Sequence, residues 1–331
     1  MKSLTRYVAV AILFVLLMLV PMAAGGGGTT AILEQIFCFG LFAMSYDLLI
    51  GYTGIVSFGH AIFFGTGAYA VAIILGKTGG TTEGLVIGFL CAIVLSIVLS
   101  LIIAFLSLRV KSAYFAMITL AVGQMFFVLA GSQGLRGLTN ANDGISVTLP
   151  DWLNNDFSAY YFCFVLLVVL GVCLLRFVRS PVGRVLQGIR ENERRTLELG
   201  HPVFRYKVIV CVLSGVAAAI AGGAYAVAQS FVSTGVYDVS TVSLNVLLMT
   251  IIGGTGTLFG GLIGAAIILF AQTEFSNLAA AYPIFNEYMI VFGILYIVIV
   301  RFVPRGILGT FIQWRGRVRW ASQPTSKSSK I

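Results

Sequence analysis

Apolar runs long enough to cross a bilayer recur along the whole chain, separated by short polar stretches. A helix rises about 1.5 Å per residue, so roughly 17–25 apolar residues span the hydrocarbon layer. Such runs cover approximately residues 7–24, 31–51, 59–76, 85–108, 113–131, 159–178, 207–229 and 284–303. A longer apolar stretch, 243–271, is interrupted by Gly253-Gly-Thr-Gly-Thr-Leu-Phe-Gly-Gly261. The pattern predicts an all-α fold, a polytopic integral membrane helical bundle with a glycine-broken segment near 253–261. The first run follows Lys2 and Arg6. It exceeds the roughly 7–15 apolar residues of a secretory signal core and leads straight into another run, so it reads as a retained helix.

One segment departs from this rhythm. In 180–202, Val182, Val185, Leu186 and Ile189 follow the i, i+3, i+4, i+7 spacing of an amphipathic helix. Arg184, Arg190, Glu191, Arg194, Arg195 and Glu198 fill the other face, with Glu191 and Arg195 spaced as a favourable i, i+4 pair. Ser180 is placed to cap the first turn, Pro181 suits the first helical position, and Gly200 followed by Pro202 signals the stop. Gly188 is the point where a bend or a break into two short helices is expected. The alternative is a solvated linker with snorkelling arginines.

Composition agrees with the apolar pattern. The 331 residues are 59% hydrophobic and 10% charged, with a mean hydropathy of +1.00, which excludes a water-soluble globular domain. The net charge of +9 is concentrated at the N-terminus, in 176–207 and in the tail. That distribution suits inside-facing loops and membrane lipid, with no nucleic-acid surface. Placing Lys2 and Arg6 inside puts Arg109, Lys111 and the arginine helix inside and the 131–158 loop outside. Both termini are cytoplasmic on this reading if 243–271 either re-enters as two half-helices or crosses twice, giving eight to ten crossings. A transmembrane domain over 1–310, with a cytoplasmic loop at 179–206, then precedes a basic tail at 311–331.

Cys38, Cys91, Cys163, Cys173 and Cys211 lie in apolar runs without CxxC spacing and read as small buried hydrophobes. No catalytic or metal-binding set is visible, His60 and His201 being far apart. Gly76-Lys-Thr78 lacks the first glycine of a P-loop, and Gly65-Thr-Gly67 lies inside an apolar span with no strand before it. Neither supports nucleotide binding. Asp47 should face protein or water, or reach the interface as a boundary residue, as should Glu34, because a charge at mid-membrane costs about 2.5–3.5 kcal/mol. Gln124, Asn245 and the backbone of Gly253, Gly254 and Gly256 are candidates for lining a translocation path. Helix-to-helix hydrogen bonding and close helix packing are the competing roles.

Three blocks carry a family resemblance. Gly51-Tyr-Thr-Gly-Ile-Val-Ser-Phe-Gly-His-Ala-Ile-Phe-Phe-Gly-Thr-Gly-Ala-Tyr69 resembles the signature of M-type permease subunits of branched-chain amino-acid ABC importers. Gly183-Arg184, Ile189-Arg-Glu-Asn-Glu193 and Leu199-Gly200 resemble that family's cytoplasmic loop, and 251–261 its late glycine segment. The blocks stand in family order across about residues 30–310. The resemblance implies a second homologous permease subunit, two ATP-binding subunits holding ATP and Mg, and an extracytoplasmic substrate-binding protein, with no cofactor in this chain. It implies that Gly183, Arg184, Ile189, Arg190, Glu191, Asn192, Glu193, Leu199 and Gly200 belong to the element that couples to an ATPase. It further implies residence in a bacterial or archaeal cell (inner) membrane. Arg194, Arg195 and Thr196 depart from the small residues usual in that loop, and Asp47 stands where an amide is expected. Related permeases carry urea, short amides or aromatic acids, which remain alternatives to a branched-chain amino acid. An ion-coupled secondary carrier would call for paired intramembrane charges, and Asp47 has no evident partner in the sequence.

Overall fold

The computed structural model describes residues 28–107, 112–281, 293 and 306–310. The expected span at 7–24, the basic loop at 108–111, nearly all of the 284–303 span and the tail at 311–331 therefore lie outside the described residues. The helices are α1 (Gly28–Thr53), α2 (Ala61–Thr78), α3 (Thr82–Ser107), α4 (Ser112–Gly131), the single turn α5 (Arg136–Thr139) and α6 (Asp156–Arg179). They continue with α7 (Pro181–Glu191), α8 (Glu193–Glu198), α9 (Val203–Gln229), α10 (Leu244–Gly253) and α11 (Phe259–Ala281). The fold is an all-α polytopic membrane bundle; among the described residues seven helices are long and apolar enough to cross a bilayer.

α1 runs through the centre and packs against α6, α9, α10 and α11. Small residues let the backbones meet. A Cβ on Gly67 of α2 would collide with the Ala219 backbone of α9, and one on Gly222 of α9 would collide with the Phe64 carbonyl of α2. The nucleotide lookalike at 65–67 is thus a helix contact, with Gly65 lying under the Tyr237 ring. The periphery is apolar outward: Val86, Leu90, Val94 and Leu106 of α3 are exposed, as are Val165 and Val169 of α6. Cys38, Cys163 and Cys211 are buried as expected, but Cys173 is exposed on α6 and corrects the expectation for all five. Glu34 is buried inside α1 instead of reaching an interface.

Two crossings begin without helix. After α1, the chain 54–60 turns back along it, and His60 stacks on Phe42, more than two turns before the end of α1. Only then does α2 begin. After α9, a two-residue ribbon forms, with β1 (Ile145–Ser146) antiparallel to β2 (Phe231–Val232). The segment then descends past Tyr237, which stacks on Tyr69, into a π turn at Val239–Ser243 and α10. The Ser243 hydroxyl accepts the Ala61 N–H at 2.9 Å, joining the two interrupted crossings where their helices start. The chain thus runs from the ribbon end to the α7 end through 230–253, part extended and part helical, and back through α11. The 239–253 stretch is shorter than the seven helices of span length.

The bundle has two distinct ends. At one, the β-ribbon and the 132–155 loop meet the Gly79–Gly80 corner, where a Cβ on Gly80 would press on the Leu149 carbonyl. At the other lie α7, α8, the last turn of α1 and the turn 254–258. Gly306 packs on Gly254, so the chain is again at the α7 end there.

Candidate functional site

The arginine-rich segment forms as two helices. Ser180 accepts the Gly183 N–H at 3.4 Å and Pro181 takes the first helical position, as expected. The break falls at Asn192, whose backbone is extended, and not at Gly188. Asn192 explains this: its Oδ1 accepts the Arg195 N–H at 3.0 Å and caps α8, a function glycine lacks a side chain to perform. Gly200 ends the segment with φ +87°, the left-handed stop expected of it.

This pair lies against the bundle by its apolar side. Gly183, Leu186, Ile189 and Thr196 are buried, and α7 packs on α1, α6 and α9. Gly183 is required there because a Cβ would strike the Val178 carbonyl. Arg184, Glu191, Arg194, Leu197 and Leu199 face outward. Leu197 and Leu199 are 59% and 72% exposed at the end of this helix pair, outside the seven helices of span length. Arg194 pairs with Glu198 at 3.3 Å, and Glu193 with Lys207 of α9 at 2.6 Å. Glu193, Arg194 and Leu197 border a groove with Val203, Phe204 and Lys207.

Directly beneath α7 is the break between α10 and α11. Gly254 and Gly256 have φ +121° and +80°, a backbone that glycine adopts without a Cβ penalty. Gly253 packs on the Gly260 carbonyl and Gly264 on the Met249 carbonyl, so α10 and α11 approach closely. A turn of this kind buries N–H groups that its own helices cannot satisfy. Asp47 of α1 supplies the acceptors: Oδ1 takes the Gly256 N–H at 2.7 Å and Oδ2 takes the Leu258 N–H at 2.9 Å. The carboxylate also sits at the N-terminus of α11, where negative charge is favourable. Arg190 of α7 donates from Nη1 to the Gly51 carbonyl at the end of α1.

The residues expected to line a path therefore fall into two groups. Asp47, Gly253, Gly254 and Gly256 meet at the α7 end; Asp47 is fully enclosed and borders no open space. Its hydrogen-bond partners, which the sequence did not reveal, are backbone N–H groups. Gln124 is exposed on α4 and Asn245 is half-buried on α10, its amide donating to the Thr241 carbonyl at 2.6 Å. Both lie beside the 239–243 turn, since Gly123 meets Val239. Ser240 and Thr241 are exposed in that turn, within four residues of Asn245, and Gln124 is exposed on the adjoining α4.

A buried polar knot was not foreseen. Ser45 donates to the Phe42 carbonyl at 2.7 Å and lies 3.0 Å from His60 Nε2; Ser214 donates to the Ser45 carbonyl at 2.6 Å. This ties α1, α9 and the start of α2 together. Serines inside apolar runs were the available signal.

Comparison with known proteins gives the same picture over most of the length. The high-affinity branched-chain amino acid transport system permease protein LivM of Salmonella typhimurium is 25% identical over 297 residues, 81% of this chain and 67% of that protein. The Escherichia coli protein of the same name matches equally, at 25% over 297 residues with the same coverage. A probable branched-chain amino acid transport permease protein LivM of Methanocaldococcus jannaschii is 23% identical over 318 residues, 82% of this chain and 91% of that protein. The family model described as branched-chain amino acid transport system / permease component matches residues 28–300, which takes in the glycine-broken turn, the arginine helices and the seven helices of span length, and the chain belongs to that family.

Proposed function

We propose that this chain is the M-type membrane subunit of an importer for branched-chain amino acids, driven by two separate ATP-binding subunits that hold ATP and Mg. The observation that carries the reading is the α7–α8 pair, seated on the bundle by its apolar face and presenting Arg184, Glu191, Arg194, Leu197 and Leu199 outward. Charged rims around exposed leucines are what a docked soluble protein covers. Gly183, Ile189, Asn192, Glu193 and Gly200 shape and seat that element. The chain itself supplies a path and a moving part, with no covalent chemistry.

A second permease subunit covers the flank that carries exposed Ser240 and Thr241, half-buried Asn245 and, on the adjoining α4, exposed Gln124, so the path runs between the two chains. A substrate with an amphipathic character suits a patch of amides and hydroxyls without a charge cluster, and weak contacts permit release. An extracytoplasmic binding protein delivers the solute at the β-ribbon end. The membrane is the bacterial or archaeal cell membrane, with α7 and both termini cytoplasmic; the return of Gly306 to the α7 end supports this for the tail.

Uptake into vesicles carrying the reconstituted complex tests the assignment. Binding-protein-dependent leucine uptake without urea uptake is expected; urea without leucine would overturn the substrate. Orientation is checked by single cysteines in a background with the five native cysteines replaced. Asp151→Cys should label from outside, and Ser326→Cys only after permeabilisation.

A further inference from the structure

The cytoplasmic helix pair and the broken crossing meet through one small set of atoms. Gly51 is among the last residues of α1, where carbonyls lack intrahelical partners. Arg190 satisfies that carbonyl and places a cation at the negative end of the helix. On the same spot, a Cβ on Gly51 would collide with Asp47 Oδ1 and with the Gly256 nitrogen, so the 254–258 backbone rests directly on α1. A Cβ on Gly256 would lie 2.9 Å from Arg190 Nη1. The guanidinium therefore touches the end of α1 and the glycine turn together. Its stem passes over Gly54, where a Cβ would meet Cγ at 3.5 Å. Asp47 holds the turn from the other side through the Gly256 and Leu258 N–H groups.

We propose that Arg190, Gly51, Gly256 and Asp47 form a latch that passes displacement of α7 to the break between α10 and α11. This inference rests on the importer reading, in which an ATPase moves α7. A hydrogen bond is directional and lost within an ångström or so, whereas the apolar seat of α7 tolerates small sliding. A modest shift of α7 thus removes Arg190 from the turn while Leu186 and Ile189 stay buried. The turn then keeps its Asp47 bonds and its packing on Gly306 but loses its tie to α7, so α10 and the 239–243 turn that leads into it, with Ser240 and Thr241, can reseat against α1 and α11. Arg190 is on this account a positioning residue that contacts no solute.

The test uses the complete reconstituted importer carrying Arg190→Ala or Arg190→Lys. Arg190→Ala should still co-purify with the ATP-binding subunits, while leucine taken up per ATP hydrolysed falls about tenfold, the scale of one charge-assisted hydrogen bond. Arg190→Lys, which keeps a charged donor, should recover part of the ratio. Hydrogen exchange of the 250–260 backbone supplies an independent reading. Protection there should fall about tenfold in Arg190→Ala, and in the unmodified complex when a non-hydrolysable ATP analogue is added. Loss of co-purification would make Arg190 an ordinary docking residue and overturn the latch, as would unchanged exchange in Arg190→Ala. If the unmodified complex takes up no leucine, the substrate assignment falls, and the exchange comparison still decides the latch.

Discussion

Two helix breaks lie close together at the α7 end, and they are solved in opposite ways. Between α7 and α8 the chain stops at Asn192, and the orphaned N–H of Arg195 is taken by the Asn192 side chain three residues away. Between α10 and α11 it stops at 254–258, and the orphaned N–H groups are taken by Asp47, 209 and 211 positions distant in sequence. The first break is exposed, so water can replace any bond the protein omits. The second is largely enclosed, with Leu258 buried and Gly256 half-buried, so a missing acceptor there costs much of the desolvation of its donor. One break is a local decision; the other is a tertiary contract among α1, α10 and α11.

The largest effect expected from this contrast is at Asp47. Asp47→Leu leaves two buried N–H groups without acceptors, at about 1–3 kcal/mol each, and should lower the melting temperature in detergent by several degrees. Asp47→Asn keeps the shape but turns one oxygen into a donor facing a donor, so about half of that loss is expected. Equal melting temperatures for Asp47→Asn and the unmodified protein would show that the break is not held from α1.

Next in size is Gly51→Ala. Its new Cβ meets Asp47 Oδ1 and the Gly256 nitrogen, and because one of these is backbone the turn must move as a whole. Overpacking of this kind costs about 1–3 kcal/mol. Chymotryptic cleavage near Leu258, 1% exposed in the intact turn, should become measurable if the turn is displaced; continued resistance would mean that α1 and α10 can separate without consequence.

The unequal legibility of these regions has the same physical root. The spans, the Ser180 cap, Pro181 at the first helical position and the left-handed Gly200 could be read because each rests on residues within a few positions of one another. Gly188 was favoured as the break by its propensity, and Asn192 took that role because its side chain can cap a new helix. Gly253–Gly261 signalled an interruption, but its two possible explanations differ only in what lies opposite. The structure divides them by position, with Gly253, Gly260 and Gly264 packing helices and Gly254 and Gly256 turning the chain. Asp47 could not be matched in sequence because its partners are N–H groups, which every residue but proline carries. Polarity was a weak guide to depth: α1 is 89% buried in its most apolar window while the more apolar α3 is 28% buried, the reverse of a soluble protein, because lipid accepts apolar faces.

At Gly200 a smaller cost is expected. Its φ of +87° disfavours a β-branched side chain by about 1–2 kcal/mol, although a Cβ there would meet nothing within 4 Å. Gly200→Val should therefore fray the end of α8 with little change in the melting temperature of the bundle. Exchange of the 193–200 backbone measures it directly, and a melting shift as large as that of Asp47→Leu would contradict the separation of the two breaks.

The smallest effect should come from Asn192→Ala, and it is the sharpest check on the contrast. The substitution removes the acceptor for the Arg195 N–H, a loss of about 1 kcal/mol that falls on α8 alone. Asn192 has an extended backbone, φ −158° and ψ 99°, which alanine adopts without strain, and water reaches the freed N–H. Faster exchange at 193–198 is expected, together with unchanged protection at 250–260. The Glu193 to Lys207 pair at 2.6 Å still anchors the start of α8 to α9, so Leu197 and Leu199 stay presented outward and binding of the proposed ATP-binding subunits should weaken only a few-fold. Should Asn192→Ala instead loosen 250–260 as strongly as Asp47→Asn does, the two breaks would be one cooperative unit, and the distinction between a locally capped and a remotely capped break would have to be abandoned.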